Sequence, residues 1–443
     1  MSRAEAADGP AGFKREISRW QIVALSLNDV VGSGVYLLPA AAAAVLGTAS
    51  PWAVLGAGLA VFLIVLCFAE SASHFDQPGS AYLYAKTAWG DLVGFEVGFM
   101  TWLARVASVA SLAVGFADAV AYLLPSVKAG APRVLAIVLP ILVLAAINVL
   151  GVKGGTRAAV ALVIGKLTPL LIFIGVGALA VIPDRLLAPA TVDPTRFGEA
   201  ALLLMFAYAG FENTAAPAGE FKNPRRDVPF ALFCEIAIVT LLYLSVQVVT
   251  LGVLADPGAT KTPLADAGRF LLGPFGGLLM TVGAAISILG TNSNTILSGP
   301  RYLWALANEG FGPAFLARIS PRFHTPDAAI VFMTLVILPL SLSGTFKELA
   351  ALSIVARLTT YISTAAAVLV LRRKLGEPRV RLPFGPVIPG AAVLVCLGLA
   401  ASATTRNLVA GAIALVVGLG IYAARRPRPG DGRPEGERGR TGS

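Results

Sequence analysis

Ionisable residues stand inside long apolar stretches of this sequence, at Asp29, Arg105, Lys166, Glu212 and Arg357. A charge at the depth of a bilayer costs several kcal/mol unless it is paired, hydrogen-bonded or wet, so such residues are functional candidates. Their chemistry suits the binding of ions, protons or polar solutes. Hydrolysis is not expected, because both histidines fall in connections and no nucleophile, histidine and acid occur together at that depth.

Two runs of small residues interrupt apolar stretches at matched places. Gly-Ser-Gly at 32–34 is followed by Pro39, and Ala-Gly-Phe-Glu at 209–212 is followed by Pro217. Glycine tolerates unwound backbone and proline limits continuation of a helix, so each run predicts a broken helix. Gly-Ser-Gly alone would also suit close packing of two helices. The matched positions and the downstream prolines favour two breaks.

Broken helices expose backbone groups that protein, water or a ligand must satisfy in hydrocarbon. Amides that start a half-helix can hold a carboxylate, and carbonyls that end one can hold an ammonium. Transporters with inverted repeats bind substrate between such helices near the midplane. The residues alone therefore predict a site for a small zwitterion or another dipolar solute.

The composition predicts the elements that carry these residues. Of 443 residues, 56% are hydrophobic and 14% are charged, whereas soluble domains are about a quarter charged. Apolar runs long enough to cross a bilayer recur along the chain, which predicts an all-α polytopic membrane protein in contact with lipid. The predicted spans are 20–46, 51–73, 91–123, 133–151, 157–182, 198–221, 229–254, 275–307, 327–343, 346–374, 387–403 and 406–424.

Lys and Arg concentrate at both ends of the chain and in the connections that follow even-numbered spans. This asymmetry predicts that both termini are cytoplasmic, in an integral protein of the plasma (inner) membrane. Residues 1–19 then form a cytoplasmic segment, 20–424 the transmembrane domain, and 425–443 a disordered basic cytoplasmic tail. Segment 74–88 is too short and polar to span and is expected at the interface.

Several function classes find no support in the sequence. The net charge of +10 lies mostly at membrane boundaries, so nucleic acid is not an expected partner. The cysteines Cys67, Cys234 and Cys396 stand in apolar runs and are interpreted as buried hydrophobes. We find no phosphate-binding loop, nucleotide fingerprint or metal-ligand spacing, so no cofactor, no metal and no enzyme activity are expected.

Three motifs resemble those of the amino acid–polyamine–organocation superfamily of permeases, over about residues 16–424. They are Val-Gly-Ser-Gly-Val at 31–35, Phe-Ala-Tyr-Ala-Gly-Phe-Glu at 206–212 with Gly-Glu-Phe-Lys-Asn-Pro-Arg-Arg at 219–226, and Arg-Tyr-Leu at 301–303 with Ala-Asn-Glu-Gly at 307–310 and Pro313. The resemblance implies an amino acid substrate and a five-plus-five inverted repeat with discontinuous helices 1 and 6. The repeats would cover about 20–182 and 198–374, followed by two helices at 387–424.

The resemblance also implies a substrate site at the two breaks. The amides around Ser33 and Gly34, next to Gly32, would take the carboxylate. Phe211 and Tyr208 would cover the substrate. Carbonyls or walls would come from Val30, Val31, Phe206, Ala207 and Ala209, with Gly210 at the second break.

Lys166 matches a lysine that many members of this superfamily carry in helix 5. By that likeness its ammonium stands where a sodium ion would, against the unwound part of helix 1. Because burial disfavours an ammonium, Lys166 could release and take up a proton during transport. The alternative is a permanently charged strut that bonds helix 1 carbonyls.

The two intramembrane arginines, Arg105 and Arg357, each need an acceptor, and the candidates are Asp29, Glu212 and Asp118. One arginine would bind a substrate carboxylate or form a gate with Asp29. A structural ion pair is the alternative that we favour. Glu212 is expected to bond loose amides of helix 6 as scaffold rather than to carry protons.

These expectations describe a secondary carrier that moves an amino acid by alternating access, through proton-coupled symport or exchange. An alternative within the same class is a polyamine or organic-cation permease, which would need an excess of buried acids. A channel would conduct without saturation, and a nutrient sensor would bind ligand without counterflow. The sequence carries no signal for the oligomeric state.

Overall fold

The computed structural model describes residues 17–76, 80–151, 156–187, 193–215, 218 and 221–424, with the backbone alone for 156–161. Most of the expected N-terminal segment, the whole basic tail and Pro217 lie outside these residues. The α-helices of the described residues are α1 (Arg19–Val30), α2 (Gly34–Leu46), α3 (Ser50–Ser73), α4 (Ser80–Trp89), α5 (Asp91–Leu123), α6 (Gly130–Leu150), α7 (Thr156–Ala178), α8 (Pro183–Leu186), α9 (Pro194–Tyr208), α10 (Pro224–Val253), α11 (Pro263–Asn308), α12 (Asp327–Leu342), α13 (Phe346–Leu375), α14 (Val387–Ala401) and α15 (Thr405–Ala423).

Apolar helices of membrane-spanning length recur through the described residues. Large apolar side chains such as Leu135 (62% exposed) and Leu241 (67% exposed) point outward, as expected against lipid. The predicted class, an all-α polytopic membrane protein, is confirmed, and the exact number of twelve spans stays a prediction. Within the described residues seven stretches are long enough to span, namely Gly34–Ser73, Asp91–Leu123, Gly130–Leu150, Pro224–Val253, Pro263–Asn308, Phe346–Leu375 and Thr405–Ala423. Shorter apolar helices are Leu162–Ala178, Asp327–Leu342 and Val387–Ala401.

Helix α11 differs from its prediction at its start. It begins at Pro263 rather than near residue 275, but the backbone leaves helical geometry at Leu272 and at Gly273, whose φ is +65°. Glycine accepts this left-handed conformation without strain, and Pro274 follows it. The predicted start therefore coincides with a kink between two helical pieces.

The sixth predicted span is broken at the expected place but does not resume as predicted. Helix α9 ends at Tyr208, and a 3₁₀ turn follows at Phe211–Asn213. Phe221 pairs with Ile17 in an isolated parallel bridge, and α10 begins three residues later. A helical continuation to 221 is therefore wrong for the described residues, since Phe221 lies beside Ile17, just before α1.

The packing holds the two halves of the first broken helix in different places. Helix α1 packs against α7 and α10, whereas α2 packs against α9. Helix α5 packs along both α11 and α13, and α3 packs along α10. Helices α5, α11 and α13 contribute residues that face the two breaks.

Candidate functional site

The first break spans Val31 to Ser33, between the end of α1 and the start of α2. Val31 is extended (φ −74°, ψ 91°), and its amide donates to the carbonyl of Leu27 (3.0 Å). The carbonyl of Ser33 accepts the amides of Tyr36 (3.1 Å) and Leu37 (3.0 Å), in the first turn of α2. In the described part of the chain the amides of residues 32–35 find no acceptor. Unpaired amides at a helix start make a site that favours an anion.

The carbonyls of the same break are already occupied. The hydroxyl of Ser287 donates to the carbonyls of Val31 (2.9 Å) and Gly32 (3.2 Å). The hydroxyl of Tyr243 donates to the carbonyl of Val30 (3.3 Å). The break therefore offers a ligand mainly amides, whereas the sequence led us to expect free carbonyls as well.

The second break lies directly against the first. Gly210 has a φ of +137°, and a Cβ there would come within 3.0 Å of the carbonyl carbon and oxygen of Asp29. The hydroxyl of Tyr243 bridges the breaks, since it donates to the carbonyl of Ala207 (2.8 Å) as well as to that of Val30. Both conformation and space therefore require glycine at 210.

A small pocket lies between the two breaks and the faces of α5, α11 and α13. Its volume is about 30 Å³, which is room for about one water molecule. An amino acid enters it only after a helix or side chain moves, so this conformation is closed. The pocket is lined by Asp29, Val30, Gly32, Ser33, Gly34, Arg105, Ser108, Leu112, Phe206, Ala209, Gly210, Asn213, Thr291, Thr295 and Arg357.

Some expected site residues do not line this pocket. Tyr208 packs against Tyr243 (ring centroids 5.2 Å apart), and Phe211 packs between Phe68 and Tyr361. Neither ring covers the space between the breaks in this conformation. Val31 and Ala207, also expected there, instead contribute carbonyls that α10 and α11 hydroxyls occupy.

Lys166 of α7 lies beneath the first break and is fully buried. Its ammonium donates to the carbonyl of Asn28 (2.8 Å), in the last turn of α1, and to the hydroxyl of Thr291 (3.1 Å). These acceptors are neutral, and within the described residues Lys166 forms no ion pair. Its charge is thus balanced only by dipoles and by more distant carboxylates.

Arg357 of α13 pairs with Glu212 beside the second break. Its Nε lies 3.2 Å from Oε1 of the carboxylate, and both side chains are almost fully buried. Glu212 also accepts the amide of Gly210 (3.0 Å) and the hydroxyl of Tyr361 (3.3 Å). The ion pair therefore ties α13 to the unwound backbone of the second break.

Arg105 of α5 has neutral partners instead of a carboxylate. Its guanidinium donates to Ser298 and to Asn213, and it lies 4.7 Å from the ring centroid of Tyr302. Asp118, a candidate partner from the sequence, pairs with Arg133 (2.9 Å) near the other end of α5, so that expectation is wrong. The carboxylate of Asp29 instead accepts from the amide of Asn294.

The sequence reasoning missed several polar residues of the site. Asn213, Thr291 and Thr295 line the pocket, and Glu235 of α10 is fully buried beside the second break. Glu235 accepts a long bond from the hydroxyl of Thr214 (3.4 Å) and interacts with the hydroxyl of Ser26, and one of its oxygens has no close partner among the described residues. An acid in the seventh span was a signal that could have found Glu235. No group of metal-ligating side chains occurs in the described part of the chain.

A family model and several named transporters match almost the whole chain. A family model described as amino acid permease matches residues 17–422. The branched-chain amino acid permease BcaP of Bacillus subtilis is 27% identical over 94% of this chain and 94% of its own. The serine/threonine exchanger SteT of the same organism is 29% identical, over 94% and 98%. The methylthioribose transporter of that organism is 28% identical over 92% of each chain.

Proposed function

The chain belongs to the amino acid permease family, and from this premise we propose that it is a secondary carrier that moves an amino acid across the membrane by alternating access. The relatives carry the names of a branched-chain amino acid permease, a serine/threonine exchanger and a methylthioribose transporter. Because these names differ, the nature of the substrate side chain must come from the pocket itself. Two arginines in the pocket disfavour a polyamine.

The observation that carries this proposal is the row of unpaired amides at residues 32–35, at the edge of the pocket. The α-carboxylate of the substrate binds these amides, since a helix start favours an anion. The α-ammonium binds the carboxylate of Asp29, because hydroxyls already occupy the nearby carbonyls. This arrangement recognises a zwitterion by both of its charges.

The topology that goes with this function has twelve spans and both termini in the cytoplasm of a plasma-membrane protein. The repeats cover about 20–182 and 198–374, and the last two spans lie within 387–424. Support comes from the breaks, which open each repeat, and from the concentration of Lys and Arg on one side.

Lys166 couples this transport to protons. Its ammonium bonds the last turn of α1 through Asn28, so loss of the proton would remove one contact that holds α1 in place. In the described part of the chain, the groups within hydrogen-bond distance of the Lys166 ammonium are all neutral. Because no carboxylate holds the proton there, the ammonium can release it once water enters the site. If Lys166 were instead a permanently charged strut, the rate of transport would not depend on the proton gradient.

A ligand screen and a counterflow assay test the proposed function together. The purified protein is heated with each amino acid and with common amines, and a ligand that binds the folded state raises its melting temperature. Proteoliposomes preloaded with the best ligand should then take up the labelled ligand against its gradient. Stabilisation by amines alone, or binding without counterflow, would contradict the proposal.

A further inference from the structure

Within the described residues Arg105 forms no salt bridge, and the carboxylate of Asp29 in the same pocket attracts it only from a greater distance. The side chain of Arg105 is only 2% exposed, and its Nε has no hydrogen-bond partner among the described residues. The other buried arginine of the pocket, Arg357, also has nitrogens without a hydrogen-bond partner, but the carboxylate of Glu212 lies 3.2 Å from its Nε. Arg105 is therefore the pocket arginine whose ionic partner is missing.

The neighbours of Arg105 hold the guanidinium in place without cancelling its charge. Ser298 and Asn213 accept hydrogen bonds from its two Nη atoms, and the ring of Tyr302 lies 4.7 Å from its Cζ. A buried guanidinium without a counter-ion is costly, and a fixed one is preorganised to bind a carboxylate at little further cost. The planar fork of arginine suits that partner best.

Once the α-carboxylate and α-ammonium of the substrate are bound, every other charged or anion-binding group considered in the pocket has a partner. The amides at residues 32–35 take one carboxylate, Asp29 takes the ammonium, and Arg357 is paired with Glu212. Arg105 remains as a second receptor for an anion. A cationic side chain would meet this positive charge, and an aliphatic one would leave it unpaired.

We propose that the substrate is an amino acid with a carboxylate in its side chain, and that Arg105 is the residue that selects it. This inference rests on the proposed function and narrows its substrate class. It needs the pocket to widen from its closed volume of about 30 Å³, as any amino acid substrate does.

Competition for transport in proteoliposomes tests the inference on the unaltered protein first. Glutamate and aspartate are compared with glutamine and asparagine, which have nearly the same shape without the side-chain charge, and with lysine. Since bonds to a charged group are about twice as strong as neutral ones, we expect the acids to compete at least about tenfold better. Equal or better competition by the amides, with amino acid transport intact, would overturn the inference and leave the proposed function standing.

Variants then separate selection from structure. Arg105→Gln should weaken competition by glutamate and aspartate at least about tenfold. It should change competition by glutamine and asparagine by less than about threefold. Arg105→Lys should keep a reduced preference for the acids, because it keeps the charge and loses the fork. Arg406→Gln, which removes the same charge from a side chain that is 78% exposed, is the matched control and should change neither.

An equal loss for acids and amides in Arg105→Gln, at an unchanged melting temperature, would make Arg105 structural and overturn the inference. If Arg105→Gln fails to fold, the comparison of acids with amides on the unaltered protein still decides. Failure of every amino acid on that protein would instead remove the proposed function.

Discussion

A Cβ atom on Gly34 would lie 2.6 Å from the Cα of Ala207, so the start of α2 rests directly on the last turn of α9. Gly210 makes the reciprocal contact with the backbone of Asp29. The two breaks therefore form one interlocked unit, and the pocket lies at its edge.

Gly34→Ala is expected to separate the breaks and to abolish transport. The added methyl meets backbone as well as side-chain atoms of Ala207, which cannot give way as a flexible side chain would, and such overpacking costs about 1–3 kcal/mol. Counterflow and melting temperature measure the two effects. Gly175→Ala on α7 is the control, because its Cβ would meet nothing within 4 Å. Full transport by Gly34→Ala would show that the close contact is not needed.

Lys166→Ala is expected to lose uptake driven by a proton gradient while exchange at equal pH on both sides continues. The change removes the proton carrier together with its contact to Asn28. Uptake of labelled substrate with and without an imposed gradient measures the difference. Lys128→Ala, outside the apolar stretches, is the control. If Lys166→Ala responds to the gradient as the unaltered protein does, Lys166 is a strut or has no role in coupling.

Glu212→Gln and Glu235→Gln are expected to differ in stability, although both replace a buried carboxyl by an amide. Glu212→Gln leaves the buried guanidinium of Arg357 without its carboxylate partner, which should lower the free energy of unfolding by about 3–5 kcal/mol. Glu235 has no cation in the described part of the chain and is bonded by hydroxyl groups alone. Replacing its carboxyl by an amide should therefore lower the free energy of unfolding by about 1 kcal/mol or less. Melting temperatures in detergent compare them. A larger loss for Glu235→Gln would point to an ionised Glu235.

Cysteine labelling is expected to place Arg379 and Lys261 on opposite sides of the membrane. Both side chains are exposed, and the twelve-span topology puts Arg379 in the cytoplasm and Lys261 outside. Arg379→Cys and Lys261→Cys, in a chain whose three native cysteines are replaced by serine or alanine, are treated with an impermeant maleimide on intact cells. We expect only Lys261→Cys to be labelled. Labelling of Arg379→Cys would contradict the twelve-span topology with cytoplasmic termini.

The helical layout followed well from the sequence because apolar length and small-residue breaks are local signals. Both breaks lie where the glycines predicted them, and most helix ends agree within a few residues. Partners across helices were harder, because they depend on the rotation of each helix. Thr291 lines the pocket, and Ser287, one turn earlier on α11, bonds the first break. In the sequence these residues are single polar positions in an apolar helix, which do not reveal which face of the helix meets the breaks.

For the charged residues, too, the sequence predicted burial better than it predicted partners. Their burial followed from the apolar stretches around them, and Arg357 meets one of its candidate acceptors, Glu212. The neutral acceptors of Arg105 did not follow, because the expectation was that a buried charge meets an opposite charge. The occupied carbonyls of the first break were also missed, since they depend on hydroxyls of Ser287 and Tyr243 in distant spans.

The proposed function depends most on the first break, whose amides at 32–35 bind the α-carboxylate of the substrate. The most direct test compares an amino acid that the protein transports with its methyl ester and with the amine left by loss of its α-carboxylate. We expect the intact amino acid alone to raise the melting temperature and to drive counterflow, because the amides at 32–35 need an anion. Equal stabilisation and counterflow by the ester or the amine would contradict it.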